Sequence, residues 1–282
     1  MIYENLTCTS CGAVLECFDK QLNCISCFNH YPLLDGIPLF GEQDEIDQWT
    51  QYHTDPENSR LIASGGYLSE KPSPDNSYYS CFIPDESARV LDVGGGDGNT
   101  TSYWAKRHPE SSVHLMDLSL HGLHKALRRN LPNMIPVCAP ADRRFPFPDA
   151  HFDVVTTVFM IEHLRPDALT RFYREANRVL KPGGRLVVAS DTRFYDSIIH
   201  PLERLVRNGQ YVKNDPTHIN LMTPRECEAW IAAEGFQLAE RKIHFVAGRY
   251  GIARALYRLL PAGFAESIFS TMFVLTAKKG NL

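Results

Sequence analysis

Leu91-Asp92-Val93-Gly94-Gly95-Gly96-Asp97-Gly98 joins an apolar strand, Arg89 to Val93, to a helix expected from about Thr100 to Arg107. Glycines at a strand-to-helix turn let the backbone come close to a ligand. Three ligands compete for such a turn: a dinucleotide pyrophosphate, a nucleotide phosphate, and the methionine half of S-adenosylmethionine. A dinucleotide fingerprint needs Gly-x-Gly-x-x-Gly, whereas the glycines here fall at 94, 96 and 98 behind Asp92, whose charge suits an ammonium better than a phosphate. No Lys-Ser/Thr pair follows, which rejects a P-loop.

Outward from this turn the chain alternates strands and helices. Further strands are expected at Val113 to Asp117, Ile135 to Cys138, Phe152 to Val158 and Arg185 to Ser190, with a helix from about Ala168 to Leu180 closed by Pro182-Gly183-Gly184. The alternation implies a five-strand parallel core. Thr223-Pro224-Arg225-Glu226 carries an N-cap, a proline at the first helical position and a capping-box glutamate, and Gly235 stops that helix. The last pieces are strands from about Phe236 to Phe245 and Ile268 to Ala277. Asp117 ends the second strand, where a carboxylate of a Rossmann-type sheet accepts hydrogen bonds from ribose hydroxyls, and Asp142 follows the third, placed to accept from an adenine amino group. Any one of these acids alone reads as a turn or cap residue; their order at successive strand ends favours a ligand site.

Residues from about 88 to 278 resemble class I S-adenosylmethionine-dependent methyltransferases of the ubiquinone/menaquinone-biosynthesis-like group. The resemblance is carried by Val90 to Gly98, by Ala141-Asp142 through Phe145-Pro146-Phe147-Pro148-Asp149, by Phe152-Asp153-Val154-Val155, by Glu162-His163-Leu164 and by Arg178-Val179-Leu180-Lys181-Pro182-Gly183-Gly184. It implies a Rossmann-like α/β fold with a seven-stranded sheet whose last strand is antiparallel. It also implies a cofactor site at Asp92, Gly94, Gly95, Gly96, Asp117, Leu118, Asp142 and Arg143. Arg143-Arg144 departs from the family, where small or neutral residues are frequent, and is expected to alter adenine contacts or to reach an acidic substrate group.

Cys8-Thr9-Ser10-Cys11 and Cys24-Ile25-Ser26-Cys27 are two C-x-x-C knuckles far enough apart for a hairpin between them. Four thiolates can then surround one structural zinc, with no position left open for catalysis; Cys17 is a bystander. Reduced or redox-active thiols are the alternative reading. The following Tyr31 to Pro38 resembles the small zinc-binding activator subunit of several RNA and protein methyltransferases, which implies a docking or substrate-presenting role. The expected organisation is a zinc ribbon over residues 1–42, a linker and cap helix over 43–84 and the methyltransferase domain over 85–282.

Methyl transfer from a sulfonium needs little acid-base help, so positioning supplies much of the acceleration. For a hydroxyl acceptor His163 is the first candidate base, and a structural histidine capping the turn before Pro166 is the alternative. His200 and His218, in a segment from about Asp191 to Met222, are substrate-contact candidates, with a solvated polar cover as the competing reading; Asp196 and His200 would share a helix face. Ile252, Leu256, Leu259 and Leu260 make an apolar stripe beside Arg249, Arg254 and Arg258, expected to pack on its own domain or a dimer mate rather than on a membrane.

The formal net charge of -4 provides no overall basic field, so a small-molecule or sugar O-methyltransferase is expected ahead of an RNA methyltransferase or a non-catalytic cofactor-binding scaffold. A homodimer or a protein partner would use the zinc ribbon. Neither a signal-peptide pattern nor an apolar run long enough to span a bilayer is evident, and the expected location is the cytoplasm.

Overall fold

The computed structural model describes residues 3–56, 87–193, 217–245, 259, 261 and 270–280. The chain begins with a small antiparallel sheet in the order β1 (Leu15–Phe18), β2 (Gln21–Cys24), β3 (His30–Leu34) and β4 (Ile37–Pro38). Its hairpins turn at Asp19-Lys20, with φ of 49° and 60°, and at Asp35-Gly36, with φ of 50° and 84°. Two-residue turns of this handedness match the twist of paired strands. A helix, α1 (Gln43–Thr54), follows with Ile46 buried.

The larger unit contains β5 (Arg89–Val93), α2 (Asn99–Arg107), β6 (Ser112–Asp117), α3 (Leu120–Leu127), β7 (Met134–Cys138), β8 (Phe152–Val158), a 3-10 turn over Ile161–His163, α4 (Pro166–Val179), β9 (Leu180–Asp191), α5 (Pro224–Ala233), β10 (Phe236–Phe245) and β11 (Ser270–Lys279). Its strands form one seven-stranded sheet in the order β10-β11-β9-β8-β5-β6-β7, with β11 antiparallel to both neighbours and the other pairs parallel. The five-strand parallel core and the late hairpin stand as read from the sequence. Helix α3 is an addition; α4 ends at Val179, within a residue of the expected Leu180, and β9 follows directly, running through Pro182-Gly183-Gly184. The capping box of α5 is present: the Glu226 N–H donates to Thr223 Oγ1 at 3.3 Å, and the Thr223 N–H to Glu226 Oε2 at 2.8 Å.

Side chains alternate across the sheet. Leu91 and Val93 face a core with Phe145, Phe147, Phe172 and Tyr173, while Val90 and Leu115 face the opposite layer with Trp104 and Leu123. Burial on both faces is what parallel strands require. The first of these cores runs on into Leu6, Leu22, Tyr31 and Phe40 of the N-terminal sheet. Backbone bonds complete the junction: the Phe40 N–H donates to the Cys138 carbonyl at 2.7 Å and the Thr7 N–H to the Pro146 carbonyl at 3.0 Å. Leu39 forms a parallel bridge with Cys138, so the N-terminal segment covers the β7 edge of the large sheet.

Candidate active site

The glycine turn leaves β5 beneath the C-terminal ends of β6 and β8. Gly94 has φ of 74°, and a Cβ there would run into Met160 Cγ, so both conformation and space demand glycine. Gly96 faces the other way: within 4 Å of its Cβ position lies His53 Nε2, at 3.7 Å. Its N–H donates to Asp117 Oδ2 at 2.8 Å, and the Ser119 N–H donates to Asp117 Oδ1 at 2.7 Å. These bonds hold a half-buried carboxylate at the end of β6, beside the turn.

Asp92 is placed differently from the expectation of ammonium contact. It is buried beneath the turn, accepting from Thr101 Oγ1 at 2.5 Å and Thr156 Oγ1 at 3.0 Å. Burial raises its carboxyl to about 6 against the pull of those two hydroxyls, with the Asp117 charge adding to the rise. Asp92 therefore braces the turn from beneath, and Asp117 is the acid at its partly exposed rim. Helix α3 completes the cradle: Ser119 caps it by accepting from the Gly122 N–H at 3.2 Å, and a Cβ on Gly122 would fall 2.7 Å from the Gly96 carbonyl oxygen.

Leu118 packs toward the segment before α1, where a Cβ on Gly41 would meet Leu118 Cδ2 at 2.6 Å. Asp142 follows β7 with Arg171 at 3.6 Å and Arg143 at 3.9 Å. Arg143 is ion-paired with Glu45 of α1. Arg144 lies 3.9 Å from Asp149 and against Gly12 of the first knuckle. Both departing arginines are thus engaged by the protein's own acids, and Arg144 helps to seat the N-terminal sheet.

Opposite the glycine turn, α1 presents rings: Trp49 meets Tyr52 edge-on at 5.6 Å and His163 edge-on at 5.8 Å. His163 Nδ1 sits 2.8 Å from Thr217 Oγ1 and 3.2 Å from the Thr217 carbonyl oxygen. The His163 and His218 rings stand 5.0 Å apart. Between them and β9 lies Glu162, fully buried, whose Oε2 accepts from Ser190 Oγ at 3.0 Å. The Glu162 carbonyl accepts from the N–H groups of Ile219 and Asn220, at 3.0 and 2.9 Å, which brings His218 to this place. Glu162 and His53 received no role in the sequence reading; Glu162-His163 was legible only as a motif, and nothing local joins it to His218. Asp196 and His200 lie outside the described residues, as does the C-terminal stripe apart from Leu259, which is exposed.

In the N-terminal sheet, Cys8, Cys11, Cys24 and Cys27 gather their sulfurs within 4.8 Å of one another. Cys8 Sγ lies 3.5 Å from Cys27 Sγ, and Cys11 Sγ 3.4 Å from Cys24 Sγ. Against the lowering effect of the Asn29 backbone N–H, burial and the neighbouring thiols push Cys27 up to about 12. Cys17 is exposed.

Residues 90–184 match the family described as methyltransferase domain. The ubiquinone/menaquinone biosynthesis C-methyltransferase UbiE of Cupriavidus necator is 36% identical over 120 residues, covering 41% of this chain and 46% of that protein. The chain spans about half the length of the curated relatives it matches. Among solved structures, phosphoethanolamine N-methyltransferase 2 of Haemonchus contortus, in complex with S-adenosyl-L-methionine, has a TM-score of 0.57 at 18% identity, covering 82% of this chain and 60% of that one. A Haloferax volcanii methyltransferase solved in complex with the Trm112 methyltransferase activator has a TM-score of 0.57 at 15% identity, covering 85% of this chain and 100% of that one. Among the described residues, no helix is long and apolar enough to cross a membrane.

Proposed function

We infer that this chain, whose residues 90–184 match the methyltransferase domain family, is a class I S-adenosylmethionine-dependent methyltransferase that methylates an oxygen of a small molecule or sugar. The observation that carries the reading is the cradle itself: a glycine turn closed at Gly94 and Gly95 by Met160 and Asp92, less crowded at Gly96, where His53 Nε2 is the neighbour at 3.7 Å, and with the Asp117 carboxylate at its rim. S-adenosylmethionine supplies the methyl group, as a sulfonium, when bound there. Asp117 would accept from the ribose hydroxyls, Leu118 and Arg143 would flank the adenine, and Asp142 would accept from its amino group. Asp92, Gly94 and Gly95 hold the turn in shape. The aromatic face of α1 shields the reacting atoms from water. The Glu162-His163-His218 cluster takes charge of the acceptor, and positioning supplies most of the acceleration.

The UbiE relatives are C-methyltransferases of ubiquinone/menaquinone biosynthesis. A phenol or enol that has lost its hydroxyl proton is nucleophilic at oxygen and at the adjacent carbon, so both readings need the same handling of one proton. RNA is disfavoured because Arg143 and Arg144, the basic residues that would extend the ribbon's surface, are engaged by Glu45 and Asp149.

The four thiols fit structural zinc. Zinc–sulfur bonds of about 2.3 Å in a tetrahedron put sulfurs about 3.8 Å apart, close to the separations of 3.4 and 3.5 Å here. Cys8, Cys11, Cys24 and Cys27 would hold the ion, and the module would steady the β7 edge of its own sheet in the manner of a fused activator. A protein partner or second copy docking through the ribbon would meet exposed Phe18, Ile25 and Phe28.

Calorimetric titration with S-adenosylmethionine and with S-adenosylhomocysteine tests the reading. Binding by the wild type should weaken by about 10-fold to 100-fold in Asp117→Ala, the effect of losing hydrogen bonds to a charged acceptor. Failure of the wild type to bind either compound would sink it.

A further inference from the structure

Among the described residues, two groups bring three or more ligating side chains together: the four thiols, and Glu162 with His163 and His218, whose donor atoms lie within 4.8 Å of one another. We propose that the second group is a metal site, a two-histidine, one-carboxylate centre for a divalent transition metal beside α1 and the residue, Met160, that packs under the glycine turn, where it acidifies the acceptor hydroxyl.

The donor set selects the class of metal. Two imidazoles and one carboxylate suit zinc and its first-row neighbours, whereas magnesium and calcium prefer oxygen ligands alone. Three protein ligands also leave positions open, as reactive rather than structural centres do. The surroundings match what ligands need from their neighbours. A metal-bound histidine usually donates its other ring N–H to a carbonyl or carboxylate, which fixes the tautomer. His163 has this arrangement, with Nδ1 3.2 Å from the Thr217 carbonyl oxygen and 2.8 Å from Thr217 Oγ1, leaving Nε2 for the metal. Ligating carboxylates are likewise hydrogen-bonded, and Glu162 Oε2 accepts from Ser190 Oγ. The Ile219 and Asn220 N–H bonds to the Glu162 carbonyl set His218 beside Glu162 through the backbone, so the three ligands come as one rigid unit.

The position is suited to the reaction. Glu162 stands two residues beyond Met160, the side chain packed beneath Gly94 of the donor turn. The Trp49 ring meets the His163 ring edge-on at 5.8 Å, which places α1 beside the cluster. The step rests on the methyltransferase reading. A cation at the cluster lowers the pKa of an acceptor hydroxyl, whose proton leaves to solvent; the oxygen's lone pair then forms the bond to the methyl carbon as the carbon–sulfur bond breaks, its electron pair passing to sulfur to give a neutral thioether. His163 thereby acts as a ligand rather than a free base, and acceptors with a second oxygen next to the reactive hydroxyl, such as catechols, vicinal diols and 2-hydroxy acids, gain a chelating grip.

Zinc titration by calorimetry into the full-length protein, purified with the thiol site already loaded, reads this site separately. The wild type should take up one further zinc ion per chain. His218→Asn and Glu162→Gln should abolish that uptake or weaken it by well over tenfold, and Ser190→Ala should weaken it by about tenfold, as loss of an outer hydrogen bond to a ligand does. All three variants should keep the S-adenosylmethionine affinity of the wild type, which shows that they fold. No further zinc in the wild type, or uptake unchanged in His218→Asn and Glu162→Gln, overturns the site. S-adenosylmethionine binding without zinc uptake removes the metal and leaves the methyltransferase reading; zinc uptake without cofactor binding does the reverse.

Discussion

At the scale of single residues, the two acids of the glycine turn divide the labour by depth. Asp117 keeps its carboxylate at the rim, while Asp92 spends both oxygens on Thr101 and Thr156. The buried position penalises charge, and the folded Asp92 titrates near 6 rather than 3.8. The sign follows from linkage. The folded state holds this proton more tightly than the unfolded chain, so the contribution is fully present below the unfolded pKa and is lost as pH rises through the folded value. Asp92→Asn lacks that titration. Its stability relative to the wild type should therefore rise by up to about 3 kcal/mol between pH 4 and pH 8, climbing by about 1.4 kcal/mol for each pH step between the two values. Urea unfolding of both proteins at the two pH values checks this, and a gap independent of pH would mean that Asp92 is not buried as charge.

At the scale of elements, α3 matters because of how near it comes. Its Gly122 packs against the Gly96 carbonyl, so Gly122→Ala should push the helix off the turn, lowering stability by about 1–3 kcal/mol and cofactor affinity by about tenfold, the equivalent of some 1.4 kcal/mol. Calorimetry beside a thermal melt separates the two effects. Strand β6 supplies a second case. His114 is buried against the edges of Phe147 and Phe152, at 5.3 Å from each. Burial, with the charges of His151 and Arg89 assisting, lowers its pKa to about 3. In acid the unfolded chain takes up this proton near 6.5 while the folded state refuses it until about 3, so stability is lost as pH falls through that window. His114→Phe should recover about 2 kcal/mol at pH 5 relative to its effect at pH 7.5. His151, lowered to about 4 chiefly by burial, keeps part of the acid sensitivity. Acid unfolding followed by tryptophan fluorescence gives the comparison.

At the scale of the whole molecule, the N-terminal sheet and the large sheet share one core through Leu6, Tyr31 and Phe40. If the four thiols hold the proposed zinc, a chelator should accordingly lower the thermal midpoint of the entire chain, by at least about 5 °C for a few kcal/mol lost from a unit of this size, in a single transition. A scanning calorimeter resolving a separate ribbon transition, with the main peak unmoved, would show the modules to be uncoupled.

Much of this was legible along the chain because its signals are local. The glycine spacing, the alternation of strands such as Phe152 to Val158, the Thr223-Pro224 cap and the paired knuckles each lie within a few residues, where backbone geometry and side-chain period decide the outcome. Helix α3 escaped because its eight residues, with Gly122 inside and three histidine or lysine side chains on its surface, carry too short a period to read. The depth of Asp92, the engagement of Arg143 and Arg144, the shared core of the two sheets and the meeting of Glu162 and His163 with His218 depend on segments distant in sequence. Sequence by itself determined the alternating strand–helix architecture, the glycine turn and the four thiols, since each is written in neighbouring residues. Only tertiary structure decided which acid is buried beneath the turn, which stays at its rim and which histidines meet, because contacts across the chain are set by how the sheet buries its two faces and not by any local pattern.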